Sequence, residues 1–139
     1  MLSAMTLGAD GVQMGSRFVA SEEASSHINF KNEVIKAKDG ATHLTLKDVT
    51  PVRLMKNKFY HEIQTAITNG ATPDEQKKIL GRGRAKQGMF EGNINDGELE
   101  VGQVAGLIDS ILPVSKIIDD IMIEYQQELK NISTPKYNF

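Results

Sequence analysis

Apolar residues recur at helical spacing along most of this chain and at strand spacing in only two short places. Leu2 to Leu7 reads as the last turns of a helix, closed by Gly8, a residue that tolerates the left-handed backbone of many helix ends. Val12 to Met14 reads as a strand. Ser25 to Lys38 predicts a helix with Phe30, Val34 and Ala37 on one face and Lys31, Glu33 and Lys36 outside. In "DGATHLTLKDV" a weak strand sits within a loop, Leu44 and Leu46 alternating against Thr45. Thr50 caps and Pro51 begins a predicted helix with an apolar stripe of Val52, Met55, Phe59, Ile63 and Ala66, and Asn69-Gly70 stops it. A further helix starts at "TPDE", where Thr72 and Glu75 stand at capping-box spacing around Pro73, and ends at Gly81. The stretch 81–98, "GRGRAKQGMFEGNINDGE", reads as an irregular surface loop. Helices are then predicted from Leu99 to Ile111 and from Val114 to Asn131, the second facing inward through Val114, Ile117, Ile118, Ile121, Tyr125 and Leu129. "STPKYNF" reads as a frayed tail.

The strand pattern implies more than the chain supplies. "GVQMG" is short, apolar and bounded by glycines, which suits a strand buried on both faces of a parallel sheet. Such a strand needs parallel neighbours, and Leu44 to Leu46 offers at best a small ribbon. The expectation is a piece of a longer repeating α/β fold.

Composition narrows the function classes. The 139 residues carry a net charge of -2, so no basic face argues for nucleic acid. Apolar runs fall far short of the roughly 18 residues of a membrane span, and Met1 is not followed by a secretory pattern. A cytoplasmic protein is the expectation. Without cysteine there is no disulfide, thiolate metal site or thiol nucleophile.

The chemistry concentrates in "GVQMGSRF". A glycine at the carboxyl end of a buried strand lets backbone approach a ligand, and the amides that follow, ahead of a helix, point at it. In eight-stranded barrels phosphate is held by the loops after strands seven and eight. Gly15 and Ser16 fit the second of those loops; the plain alternative is an ordinary strand-to-helix turn. Elsewhere the pattern gives less. His27 at a helix start reads as a capping group, and His43 and His61 are scattered without metal-ligand spacing. "GRGRAKQG" is not a phosphate-binding P-loop, because Met89 rather than Lys follows Gly88. "NINDGE" lacks calcium-loop spacing, and Glu62, Glu75 and Asp96 form no recognisable dyad.

Two blocks, "MLSAMTLGADGVQMGSRFVASEEASSHINFKNEVIKAKDG" and "GRGRAKQGMFEGNINDGELEVGQVAGLI", resemble the C-terminal part of the nitronate monooxygenase family, formerly 2-nitropropane dioxygenases. The flavin-type enoyl-acyl-carrier-protein reductases are related to it. The resemblance covers essentially the whole chain and implies an α/β fold: the last βα unit, lid and C-terminal helices of an FMN-binding TIM barrel, in a chain that is itself mostly helical. By that resemblance Gln13, Met14, Gly15 and Ser16 match the second flavin-phosphate turn, with Gly15 and Ser16 donating backbone N–H groups and the Ser16 hydroxyl adding a bond. Arg17 has no role assigned by the family. The 81–98 stretch would belong to a lid over the flavin face.

Residues 1–39 would form the last strand, phosphate turn and helix, 40–98 a helical lid insertion, 99–131 the C-terminal helices and 132–139 the tail. The first phosphate turn and the loop with the family's catalytic histidine have no counterpart here, so no catalytic residue is assigned. The function implied is oxidation of alkyl nitronates with O2 by an FMN-dependent oxidoreductase, of which this chain is an incomplete part, inactive alone. It would act on a small molecule, with neither nucleic acid nor membrane as partner, and a homo-oligomer is possible. The alternatives are a flavin-type enoyl reductase fragment and a non-catalytic helical module that associates through the stripes at Val52–Ile63 and Val114–Leu129.

Overall fold

The computed structural model describes residues 1–134. Six α-helices and one hairpin follow in order: α1 (Leu2–Thr6), α2 (Ser16–Val19), α3 (Ile28–Lys36), β1 (Thr42–Thr45), β2 (Val52–Met55), α4 (Lys58–Thr68), α5 (Pro73–Leu80) and α6 (Val114–Ser133). A π-helical turn at Lys86–Phe90 and a 3-10 turn at Gln103–Leu107 lie between α5 and α6. Helix ends follow local chemistry. His27 caps α3, its Nδ1 accepting from the Asn29 N–H. Thr72 and Glu75 form the full capping box of α5, and Gly70 and Gly81, both at positive φ, follow α4 and α5.

The apolar side chains sort into two clusters. The first joins Phe30, Val34 and Ala37 of the α3 region to Ala20, Met55, Leu99, Val101, Ala105 and Ile108. The second packs Leu46 and Leu54 of the hairpin region against Phe59, Tyr60 and Ile63 of α4, with Ile79 and Leu80 at its edge. Arg84 closes over the Phe59 ring at 4.5 Å from its centroid.

Several expectations are corrected. Residues Val12 to Met14 form no strand, and Val12 is exposed. Among the described residues the sheet is the antiparallel β1–β2 pair alone, so nothing flanks Val12–Met14 to take its backbone groups. The helix predicted from Pro51 begins instead at Lys58, capped by Asn57. Val52–Met55 is a strand with partners on two sides. It pairs with β1 in the register Thr45↔Val52, while the Met55 N–H donates to the Leu99 carbonyl and the Val101 N–H to the Arg53 carbonyl. Within β1, Thr45 is buried and Leu44 exposed, the reverse of the expected alternation; Leu46 reaches the core from just past the strand, at φ 53°.

The helix predicted over Leu99–Ile111 is replaced by extended chain and the 3-10 turn. Gly102 gives its N–H to Ser16, and a side chain at Gly106 would crowd the Lys38 carbonyl. The 81–98 stretch is not a surface loop throughout. Gly88, Gly92, Gly97 and Glu98 are buried, and a Cβ on Gly88 would collide with the Glu98 carbonyl and the Leu99 side chain. On α6 only Ile117 is buried, with Ile121 and Tyr125 half-buried and Ile118 and Leu129 exposed. Lys31, expected outside, is also buried. Ile132 and Ser133, placed in the expected tail, continue α6, and residues 135–139 lie outside the described residues.

Candidate phosphate-binding turn

Gln13, Met14, Gly15 and Ser16 run consecutively into the single turn of α2. Gly15 is its N-cap, at φ -107° and ψ -67°, and Phe18 makes the first ladder bond, its N–H donating 2.9 Å to the Gly15 carbonyl. The amides of Ser16 and Arg17 therefore stand ahead of that ladder, where a helix leaves donors for a ligand. Gly15 is exposed, and a Cβ built on it would meet nothing within 4 Å. The chain itself does not require glycine there; the open space is room for an acceptor to come close to the backbone. Gln13 is exposed and Met14 half-buried.

The Ser16 hydroxyl is fixed from the opposite side. Its Oγ accepts from the Gly102 N–H at 3.0 Å, which leaves the hydroxyl hydrogen free to be donated. Gly102 is a site residue that sequence reasoning missed. A Cβ there would lie 2.7 Å from Ser16 Oγ, so glycine is what allows the contact. Its only signal in the sequence was a glycine inside a predicted helix. Arg17 donates 3.1 Å to the Ser110 carbonyl. With Met14 it borders an open cleft of about 1020 Å³ between α1 and α6, whose walls include Leu2, Leu7, Ile121 and Tyr125.

The other candidates are placed elsewhere. His27 caps α3 and stacks against Gly92, whose missing side chain makes room for the imidazole. His43 Nδ1 and the Tyr60 hydroxyl share a hydrogen bond of 3.0 Å, and His61 meets Tyr60 edge to face. Among the described residues no three His, Cys, Asp or Glu side chains gather as metal ligands would. Asp96 pairs with Lys58, whose hydrogen bond holds the carboxyl below its usual range. Hydrogen bonds from Thr72 do the same for Glu75. Glu98 behaves oppositely: burial pushes its carboxyl up to about 7, the charge of Glu100 adds to the rise and Arg84 opposes it.

The family model for nitronate monooxygenase matches residues 1–124. The chain belongs to that family. Its relatives include "Nitronate monooxygenase npaC" of Metarhizium robertsii, 54% identical over 39 residues that make up 28% of this chain and 11% of that protein. A "Probable nitronate monooxygenase" of Bacillus subtilis is 26% identical over 123 residues, 88% of this chain and 35% of the relative. Among solved structures, FabK from Thermotoga maritima superimposes with a TM-score of 0.86 at 36% identity, over 96% of this chain and 42% of FabK. The chain thus spans less than half the length of these family relatives and of FabK. It is a helix-rich α/β part of the family's fold, and no helix among the described residues is long and apolar enough to cross a membrane.

Proposed function

We propose that the chain is the C-terminal, phosphate-holding part of an FMN-dependent barrel oxidoreductase resembling nitronate monooxygenase. The observation that carries this reading is the turn into α2: two amides ahead of the helical ladder, open space over Gly15, and a Ser16 hydroxyl held by Gly102 with its hydrogen to spare. That donor set suits a phosphate and would hold the 5′-phosphate of FMN. Gln13 and Met14 would line the approach to the turn. FMN, when bound, supplies the electron transfer. The contribution of these residues is to orient it: Gly15 and Ser16 donate to the phosphate through the backbone as the resemblance implies, the Arg17 amide stands beside them, and the Ser16 hydroxyl adds a charge-assisted bond.

The substrate reading follows the family, an alkyl nitronate oxidised with O2. A second reading has a specific observation behind it, the 36% identity and high structural similarity to FabK over 96% of this chain; flavin-type enoyl reduction would then be the activity. In both, this chain alone is inactive, and the 40–98 segment serves as a lid. The test is a chimera in which this chain replaces the matching 42% of Thermotoga maritima FabK. It is expected to purify with flavin absorbance, and assays with an alkyl nitronate and with an enoyl thioester plus reduced nicotinamide separate the two activities. A folded chimera that takes up no FMN would refute the cofactor reading.

A further inference from the structure

A helix of a single turn cannot hold its own direction, because nucleation costs more than one turn of bonds returns. The orientation of α2, and with it the Ser16 turn, is therefore set by what ties it down. At its start the Gly102 N–H meets Ser16 Oγ, and in its middle Arg17 reaches the Ser110 carbonyl. Beyond its end the chain is gripped from two sides. The Glu22 N–H donates to the Leu112 carbonyl at 3.0 Å, next to the Ser21–Leu112 bridge, and Glu23 accepts the Val114 N–H at the start of α6. From the core side comes Lys31. Its Nζ donates to the Ser21 carbonyl at 2.5 Å and to the Glu22 carbonyl at 3.1 Å.

Lys31 is unusual in two respects. It is only 5% exposed, although lysine is almost never buried without a carboxylate partner. Its partners here are backbone carbonyls, and among the described residues no carboxylate lies within ion-pair distance of it. It lies on α3 between Phe30 and Val34, both members of the first core cluster. Of the side-chain bonds that tie α2 and the residues just after it, the one to Ser21 is the fully buried one. A buried ammonium spends its solvation on bonds that water cannot replace, so it fixes the backbone it meets.

We propose that Lys31 is the positioning residue of the candidate phosphate turn: it transmits the rigidity of α3 and the core to residues 16–22 and so holds the amides of Ser16 and Arg17 in place. The claim about rigidity concerns this chain alone. Its consequence for phosphate rests on the function proposed above, and the two are tested separately.

In the full 139-residue chain, hydrogen exchange is compared for wild type, Lys31→Met, Lys31→Arg and Lys36→Met. Methionine keeps the apolar stem and removes the ammonium, and Lys36 is an exposed lysine on the same helix, paired with Glu33. Lys31→Met is expected to speed exchange over residues 16–23 by about tenfold or more, the scale of losing bonds to a charged donor. Peptides from α4 and α5 should be unchanged, Lys31→Arg should recover part of the protection, and Lys36→Met should match wild type. Unchanged exchange over 16–23, or a uniform rise across the chain, would overturn the positioning role. In the FabK chimera, Lys31→Met is expected to weaken FMN but not riboflavin, which lacks the phosphate. Equal weakening of both would overturn the link to the phosphate turn, whereas a wild-type chimera that binds no FMN would count against the proposed function and leave the exchange result to decide Lys31.

Discussion

Glu98 shows how one side chain departs from what its type suggests. Its folded pKa of about 7 stands above the ordinary 4.5, so the folded chain binds that proton more tightly than the unfolded chain does. The stability this adds is fully present below the ordinary value and is lost as pH rises toward about 7. Glu98→Gln is therefore expected to melt above wild type at about pH 8 and close to it at about pH 4, and coincident melting curves at both would contradict the assignment. Thr72 and Glu75 were legible as a capping box because that motif is local, with both partners three residues apart. Lys31 was not. Helical periodicity gives a residue's direction, but nothing local says that the carbonyls of Ser21 and Glu22 lie within reach of that direction to receive an ammonium. Gly102 was hidden for the same reason, since its partner Ser16 is 86 residues away.

Among the elements, α4 depends on a cap that also works at a distance. Asn57 accepts the Tyr60 N–H at 2.9 Å, and its Nδ2 donates to the carbonyls of Ile94 and Gly97 at 2.8 Å each. Asn57→Ala should cost about 2–4 kcal/mol, a cap plus two partly buried bonds. Asn57→Asp keeps the capping oxygen and loses the two donors, so chemical denaturation of both variants separates cap from clamp; equal losses would show that the cap contributes nothing. The strand Val52–Met55 was misread because Val52 and Met55 fall by coincidence on the helical stripe of Phe59 and Ile63. What makes it a strand is a pair of partners, β1 and residues 99–101, the second of them far along the chain. The helix predicted over Leu99–Ile111 failed for the complementary reason, as that segment is committed to those pairings.

Seen whole, the molecule leaves α6 largely uncovered on one side, with Ile118, Met122 and Ile123 exposed, and Leu107 exposed on the 3-10 turn. Ile123→Asp and Leu107→Asp should each change stability by no more than about 0.5 kcal/mol, because neither removes packing within residues 1–134; a larger loss in denaturation would mean these side chains are covered. The family relation was legible in two sequence blocks, whereas the two-sided pairing of β2 was not, since it joins segments that periodicity treats separately. The central claim is that the turn from Gly15 into Ser16 holds the FMN phosphate, and its most direct measurement is flavin affinity in the FabK chimera with and without Ser16→Ala. The account predicts that wild type binds FMN, that Ser16→Ala weakens FMN by about tenfold or more, as loss of a bond to a charged acceptor should, and that riboflavin affinity stays the same. A folded chimera without FMN, or one whose FMN affinity is indifferent to Ser16→Ala, would contradict it.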